Sequence, residues 1–98
     1  MNQEDNAKFL HFYSQAFESA QRVVKEHSEE GENGVFSIPQ MYPNGGSDIL
    51  FMMFHKITRA LGYNRAGNSS KVLEKVLDIL NYAAFYFALT MFKLEQKK

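Results

Sequence analysis

The stretch SKVLEKVLDILNYAAFYFALTMFKLEQ, residues 70–96, decides the fold. It predicts a single long helix, apolar on every side from Val76 to Phe92. Its most apolar run, Ile79 to Phe92, is fourteen residues long and contains Asn81. A membrane-crossing helix needs about 20 apolar residues, so a run of this length predicts a buried helix. In a chain of three helices, one helix does not bury its whole circumference unaided. A homo-oligomer with the last helix at its interface is therefore expected.

Moving toward the N-terminus, the segment Gly62 to Asn68 is a turn, with Ser69 and Ser70 as cap candidates for the last helix. Before it, Ser47 and Asp48 are cap candidates for a second helix, placed at 48–61, and Gly62 stands where a left-handed C-terminal residue is expected. Leu50, Met53, Ile57 and Leu61 form one apolar face of this helix, and Phe51 and Phe54 form another. Residues 31–47 hold four glycines together with Pro39 and Pro43, and read as a loop. At about seventeen residues it is longer than most connections in compact domains, which marks it as a candidate lid, binding loop or mobile segment, or else as a loop that covers the core edge. The first helix is placed at about 6–29, after the cap candidates Asp5 and Asn6. Phe9, Phe12/Tyr13, Ala16/Phe17, Ala20 and Val23/Val24 recur on one face of it. No strand pair with alternating polarity and no internal repeat is visible. The predicted architecture is one all-α domain over 1–98, three main helices in an intertwined helical homo-oligomer.

Composition narrows the function. Ninety-eight residues are one domain's worth. With 45% apolar residues, nine Phe and five Tyr, the chain has the means to form a core, which excludes disorder throughout. Zero Cys excludes a disulfide framework and thiolate chemistry. A formal net charge of zero argues against binding to a DNA or RNA duplex and against a basic membrane-surface helix. The zero conceals two halves. Residues 1–34 carry seven acids and three bases, whereas 35–98 carry four acids and eight bases. Such halves neutralise each other within or between subunits, or face each other across a site for a metal and a phosphate. The polar, acidic N-terminus has no basic region followed by an apolar stretch, so a soluble, cytoplasmic protein is expected.

The residues with chemical potential gather on the last two helices. Lys71, Glu74, Asp78 and Asn81 are spaced 3, 4 and 3, so they share a face, with Tyr82 and Phe85 beside it. A carboxylate among Leu77, Ile79, Tyr82 and Phe85 needs a cation, hydrogen-bond donors or a metal. Lys56 and Arg59, three apart on the second helix, are the candidate partners, with Tyr63 a turn further on. One outcome is a salt bridge from Lys56 or Arg59 to Asp78 that fixes helix register. The other is a ligand site. In it Lys56, Arg59, Asn81 and Tyr82 contact the ligand, and Glu74 and Asp78 hold magnesium with help from Glu29 and Glu30. His11, His27 and His55 do not form a ligand set, and no glycine-rich phosphate loop or Ser-His-Asp order is present.

The segment Glu74-Lys-Val-Leu-Asp78-Ile-Leu-Asn81-Tyr82-Ala83, preceded by Lys56-Ile-Thr-Arg59, resembles a known family. This is the nucleotide-modification-associated all-α domain of phages and bacteria, similar to the MazG-like nucleoside triphosphate pyrophosphohydrolases. Glu74 stands where the family pattern has Asp, and Lys25-Glu-His27, Asn33 and Phe36 loosely echo the family's loop. The resemblance implies binding of a phosphorylated nucleotide between helices or subunits. Where catalysis follows, it implies magnesium-dependent hydrolysis of a phosphoanhydride. The alternative is a non-catalytic module, either one that sequesters a nucleotide, as in phage counter-defence, or one that binds another protein.

Overall fold

The computed structural model describes residues 2–28 and 46–97, and these form three helices with no strand among them. They are α1 (Gln3–Ser28), α2 (Gly46–Arg65) and α3 (Ser69–Gln96). The all-α class and the number of helices agree with the sequence pattern, as does the end of the last helix at Gln96, whereas the other boundaries move by one to four residues. Asn2, not Asp5 or Asn6, caps α1: its Oδ1 accepts the Asp5 N–H at 2.8 Å, and Asn6 donates to the Asn2 carbonyl at 2.9 Å. Gly46 and Ser47, assigned to the loop by composition, open α2, so Ser47 and Asp48 lie inside its first turn. The rest of the candidate lid, 31–45, lies outside the described residues.

The connection between α2 and α3 departs furthest from expectation. Gly62 is not the left-handed residue: α2 continues through it to Arg65, and the positive φ of 73° belongs to Gly67. The Gly67 N–H donates to the Asn64 carbonyl at 3.1 Å, and the Asn68 N–H reaches back to the Tyr63 carbonyl at 2.9 Å. This crossed pair is a Schellman cap. Asn68 then serves the next helix as well, because its Oδ1 accepts the Lys71 N–H at 3.2 Å. One asparagine closes α2 and opens α3, which displaces Ser69 and Ser70 from the capping role. Three residues, 66–68, therefore suffice to reverse the chain.

The reversal lays α2 antiparallel along α3, with Gly46 near Tyr86 at one end and Lys56 against Asp78 further along. Gly46 lies against the Tyr86 ring of α3. A Cβ placed there would lie 3.0 Å from Tyr86 Cδ2 and 3.1 Å from Cζ, so only glycine fits without displacing the ring. α1 rests on α3 over a smaller area. Its residues Ala16, Ser19, Ala20, Val23 and Val24 are buried or half-buried, whereas Phe9, Phe12 and Tyr13, on the same face two turns earlier, are exposed.

Burial is thin. Among the described residues only Ala20, Ile49 and Leu89, one from each helix, are buried apolar side chains. The radius of gyration is 15.9 Å, against about 13 Å for a compact chain of this length. The longest dimension is 48 Å, and the 28 residues of α3 rise about 42 Å. No described helix is long and apolar enough to cross a membrane.

Candidate functional site

The polar residues singled out by sequence lie along the seam between α2 and α3. The face of α3 turned toward α2 carries Lys75, Asp78, Tyr82 and Phe85, all half-buried, and ends at the buried Leu89. Spacings of 3, 4, 3 and 4 keep these residues on one side of the helix. From α2, Lys56 and Tyr63 turn into the seam and are half-buried, whereas Arg59, between them in sequence, is exposed. A separation of three residues rotates a side chain by about 60° from a separation of exact turns, and here that rotation carries Arg59 out toward water.

At the centre, Lys56 Nζ stands 3.4 Å from Asp78 Oδ2. The two side chains keep 20% and 33% of their surface in contact with solvent. This places the pair between an exposed ion pair, worth about 0–1 kcal/mol, and a fully buried one. The separation is also longer than the roughly 2.8 Å of a tight charge-assisted hydrogen bond. The pair is therefore a partly hydrated contact. Tyr82 packs edge-on against Phe85, with ring centroids 6.1 Å apart and an interplanar angle of 86°. Asn81, half-buried, stands beside Tyr82.

Glu74 does not join Asp78 in a common carboxylate pair. It is exposed, and its Oε2 lies 3.4 Å from Lys71 Nζ on its own helix, an i,i+3 contact. Glu29 and Glu30 lie outside the described residues. Among the described residues, no cluster of three or more His, Asp or Glu side chains is placed to hold a metal ion. Asp78 and Glu74 stand one turn apart on α3, each beside its own lysine.

Two residues of the site were not singled out by sequence. Lys75 is half-buried in the same line as Asp78 and Tyr82, which puts a second cation in the seam. Its spacing of three from Asp78 and seven from Tyr82 was the available signal. Gly46 sets how closely α2 approaches α3 through its contact with Tyr86, and only the fold brings those residues together.

No family model, curated protein or solved structure matches this chain.

Proposed function

We propose that this protein is an all-α binding module whose ligand, a phosphorylated nucleotide, is held against the polar strip between α2 and α3. One observation carries the reading: Lys56 and Asp78 meet in a partly hydrated pair within the helix seam, with Lys75 half-buried on the same line of α3. Apolar side chains would fill such a position at lower cost, so charge retained there suits a recognition role. In this reading Lys56 exchanges the Asp78 carboxylate for a phosphate, and Lys75 and Arg59 add positive charge on either side of it. The Asn81 amide offers a donor and an acceptor for a base edge, and the Tyr82 ring offers a stacking surface. Magnesium bound to the phosphates would neutralise them and take Asp78 and Glu74 as its protein carboxylates. The likeness of Glu74–Ala83 to the nucleotide-modification-associated domain supports the same ligand class.

The test is a thermal-shift series with nucleoside mono-, di- and triphosphates, with and without magnesium. Ligand at a hundredfold its dissociation constant adds about 2.7 kcal/mol, which moves the melting temperature of a domain this size by several degrees. Lys56→Gln is expected to abolish that gain. Nucleotide recovered intact after tight binding identifies sequestration, whereas magnesium-dependent release of phosphate or pyrophosphate identifies hydrolysis. A parent protein that no nucleotide stabilises would overturn the proposal.

A further inference from the structure

The Lys56–Asp78 pair divides the hairpin of α2 and α3 into two unlike halves. Away from the tip, α3 carries no charged residue from Ile79 to Phe92, and α2 carries only Asp48 and His55 before Lys56. Toward the tip, residues 57–77 hold Arg59, Arg65, Lys71 and Lys75 against the single acid Glu74. That acid is turned to Lys71, 3.4 Å away. At the tip the ends of two antiparallel helices meet with opposed dipoles, so the positive field there comes from side chains.

Two contacts fix the register of the hairpin: Gly46 against Tyr86, and Lys56 against Asp78. In an antiparallel pair each step up α2 is a step down α3, so Arg59 is level with Lys75 and Tyr63 with Lys71. The level of Arg59 and Lys75 lies about 4.5 Å beyond the Lys56–Asp78 pair. Two cations thus stand at one height of the seam, and among the described residues neither has an ion-pair partner. Lys75 is half-buried, and Asp78, one turn along on the same face, is engaged by Lys56. A half-buried ammonium beside a guanidinium is an unfavourable arrangement, and an anion between the two reverses its sign.

We infer that Arg59 and Lys75 form an anion subsite, one turn beyond Lys56, that takes a phosphate group. The phosphate is either the second of a nucleoside diphosphate whose first lies at Lys56, or a free phosphate. In the first case, which rests on the nucleotide reading above, the ligand acquires a direction. Asn81 and Tyr82 lie about 4.5–6 Å from the level of Asp78 on the uncharged side, so the base lies there and the phosphates lead toward the tip. The step from Lys56 to Arg59 and Lys75 is short enough for neighbouring phosphates of one diphosphate, because all three side chains are long and flexible. Arg59 supplies a planar fork of donors and Lys75 a compact charge, which suits a phosphate approached from two sides.

Calorimetric titration of the full chain with inorganic phosphate and with pyrophosphate, both without metal, tests the subsite. The parent is expected to bind pyrophosphate about tenfold more tightly than phosphate, because only pyrophosphate reaches Lys56 and the subsite together. Arg59→Gln and Lys75→Gln are each expected to lower that preference to about threefold or less. Arg65→Gln is expected to leave it unchanged, since Arg65 is exposed, about 9 Å further on and on the opposite side of α2. Arg59 is itself exposed, so its variant decides even where Lys75→Gln fails to fold. A nucleoside diphosphate that outbinds its monophosphate in the parent, but not in Arg59→Gln, assigns the phosphate to a nucleotide. Pyrophosphate binding that Arg59→Gln weakens, with no response to any nucleotide, supports the free-phosphate source and counts against the nucleotide reading alone. A parent with no preference for pyrophosphate would overturn the subsite, and so would a preference that Arg65→Gln lowers as far as Arg59→Gln does. In either of those cases a nucleoside monophosphate that still stabilises the parent leaves the reading at Lys56 in place.

Discussion

Gly62 and Gly67 are five residues apart, and the structure gives them opposite roles. Gly62 lies within α2, exposed, with nothing within 4 Å of an added Cβ, so Gly62→Ala is expected to stabilise the protein by about 0.5–1 kcal/mol. Gly67 holds φ at 73° in the Schellman cap, and Gly67→Ala is expected to cost about 1 kcal/mol. Chemical denaturation of the two variants beside the parent checks both signs, and two shifts in the same direction would contradict the cap assignment. Composition alone gave the left-handed position to Gly62 because both glycines lie near a helix end, and only the backbone bonds show which carbonyls need capping. The same scale holds the Lys56–Asp78 pair. Asp78→Asn leaves a partly hydrated lysine without its counter-charge, and the expected loss is about 1–2 kcal/mol, well below that of a dry ion pair. A loss above about 4 kcal/mol in the same denaturation experiment would mean that the pair is sealed from water in solution.

At the scale of elements, the three helices were legible because apolar residues recur at helical spacing, and that periodicity survives errors at the ends. The capped starts of α1 and α3 were not legible, since Asn2 and Asn68 act through side chains that compete with equally good neighbours such as Asp5, Ser69 and Ser70. The candidate site shows the same division. Spacing alone put Asp78, Asn81 and Tyr82 on one face and named Lys56 as a partner, and Lys56 does meet Asp78. That Arg59 turns to solvent, that Glu74 pairs with Lys71 and that Lys75 enters the seam depend on the rotation of each helix about its axis, which tertiary packing sets. That packing depends on Gly46. Gly46→Ala drives a methyl group into the Tyr86 ring, so α2 must move away from α3 or the ring must swing out. The expected cost is about 1–3 kcal/mol, the range for overpacking an interior. Relaxation of the site should be visible as a changed tyrosine environment in the near-ultraviolet circular dichroism. An unaltered spectrum together with unaltered stability would show that the close approach is absent in solution.

The whole molecule sets the last expectation. Three buried apolar side chains among the described residues are few for a chain that orders three helices, because fixing each residue costs about 1–2 kcal/mol in backbone entropy alone. Exposed Phe9, Phe12 and Tyr13 on α1, Phe51 and Phe54 on α2 and Phe87 on α3 represent apolar surface whose burial would offset that cost. If two copies supply this burial to each other, folding and association form one equilibrium, and stability depends on protein concentration. A tenfold rise in concentration adds about 1.4 kcal/mol per dimer. Divided by the unfolding entropy of two chains of this length, about 0.4 kcal/mol per kelvin, that raises the melting temperature by roughly 3 °C. Melting curves over a hundredfold concentration range are therefore expected to move upward by about 6–7 °C in total. In the Phe87→Glu variant the dependence is expected to vanish along with most of the stability. Parent curves that superimpose across that range would mean that each chain folds alone, and the apolar surface would then need a different account.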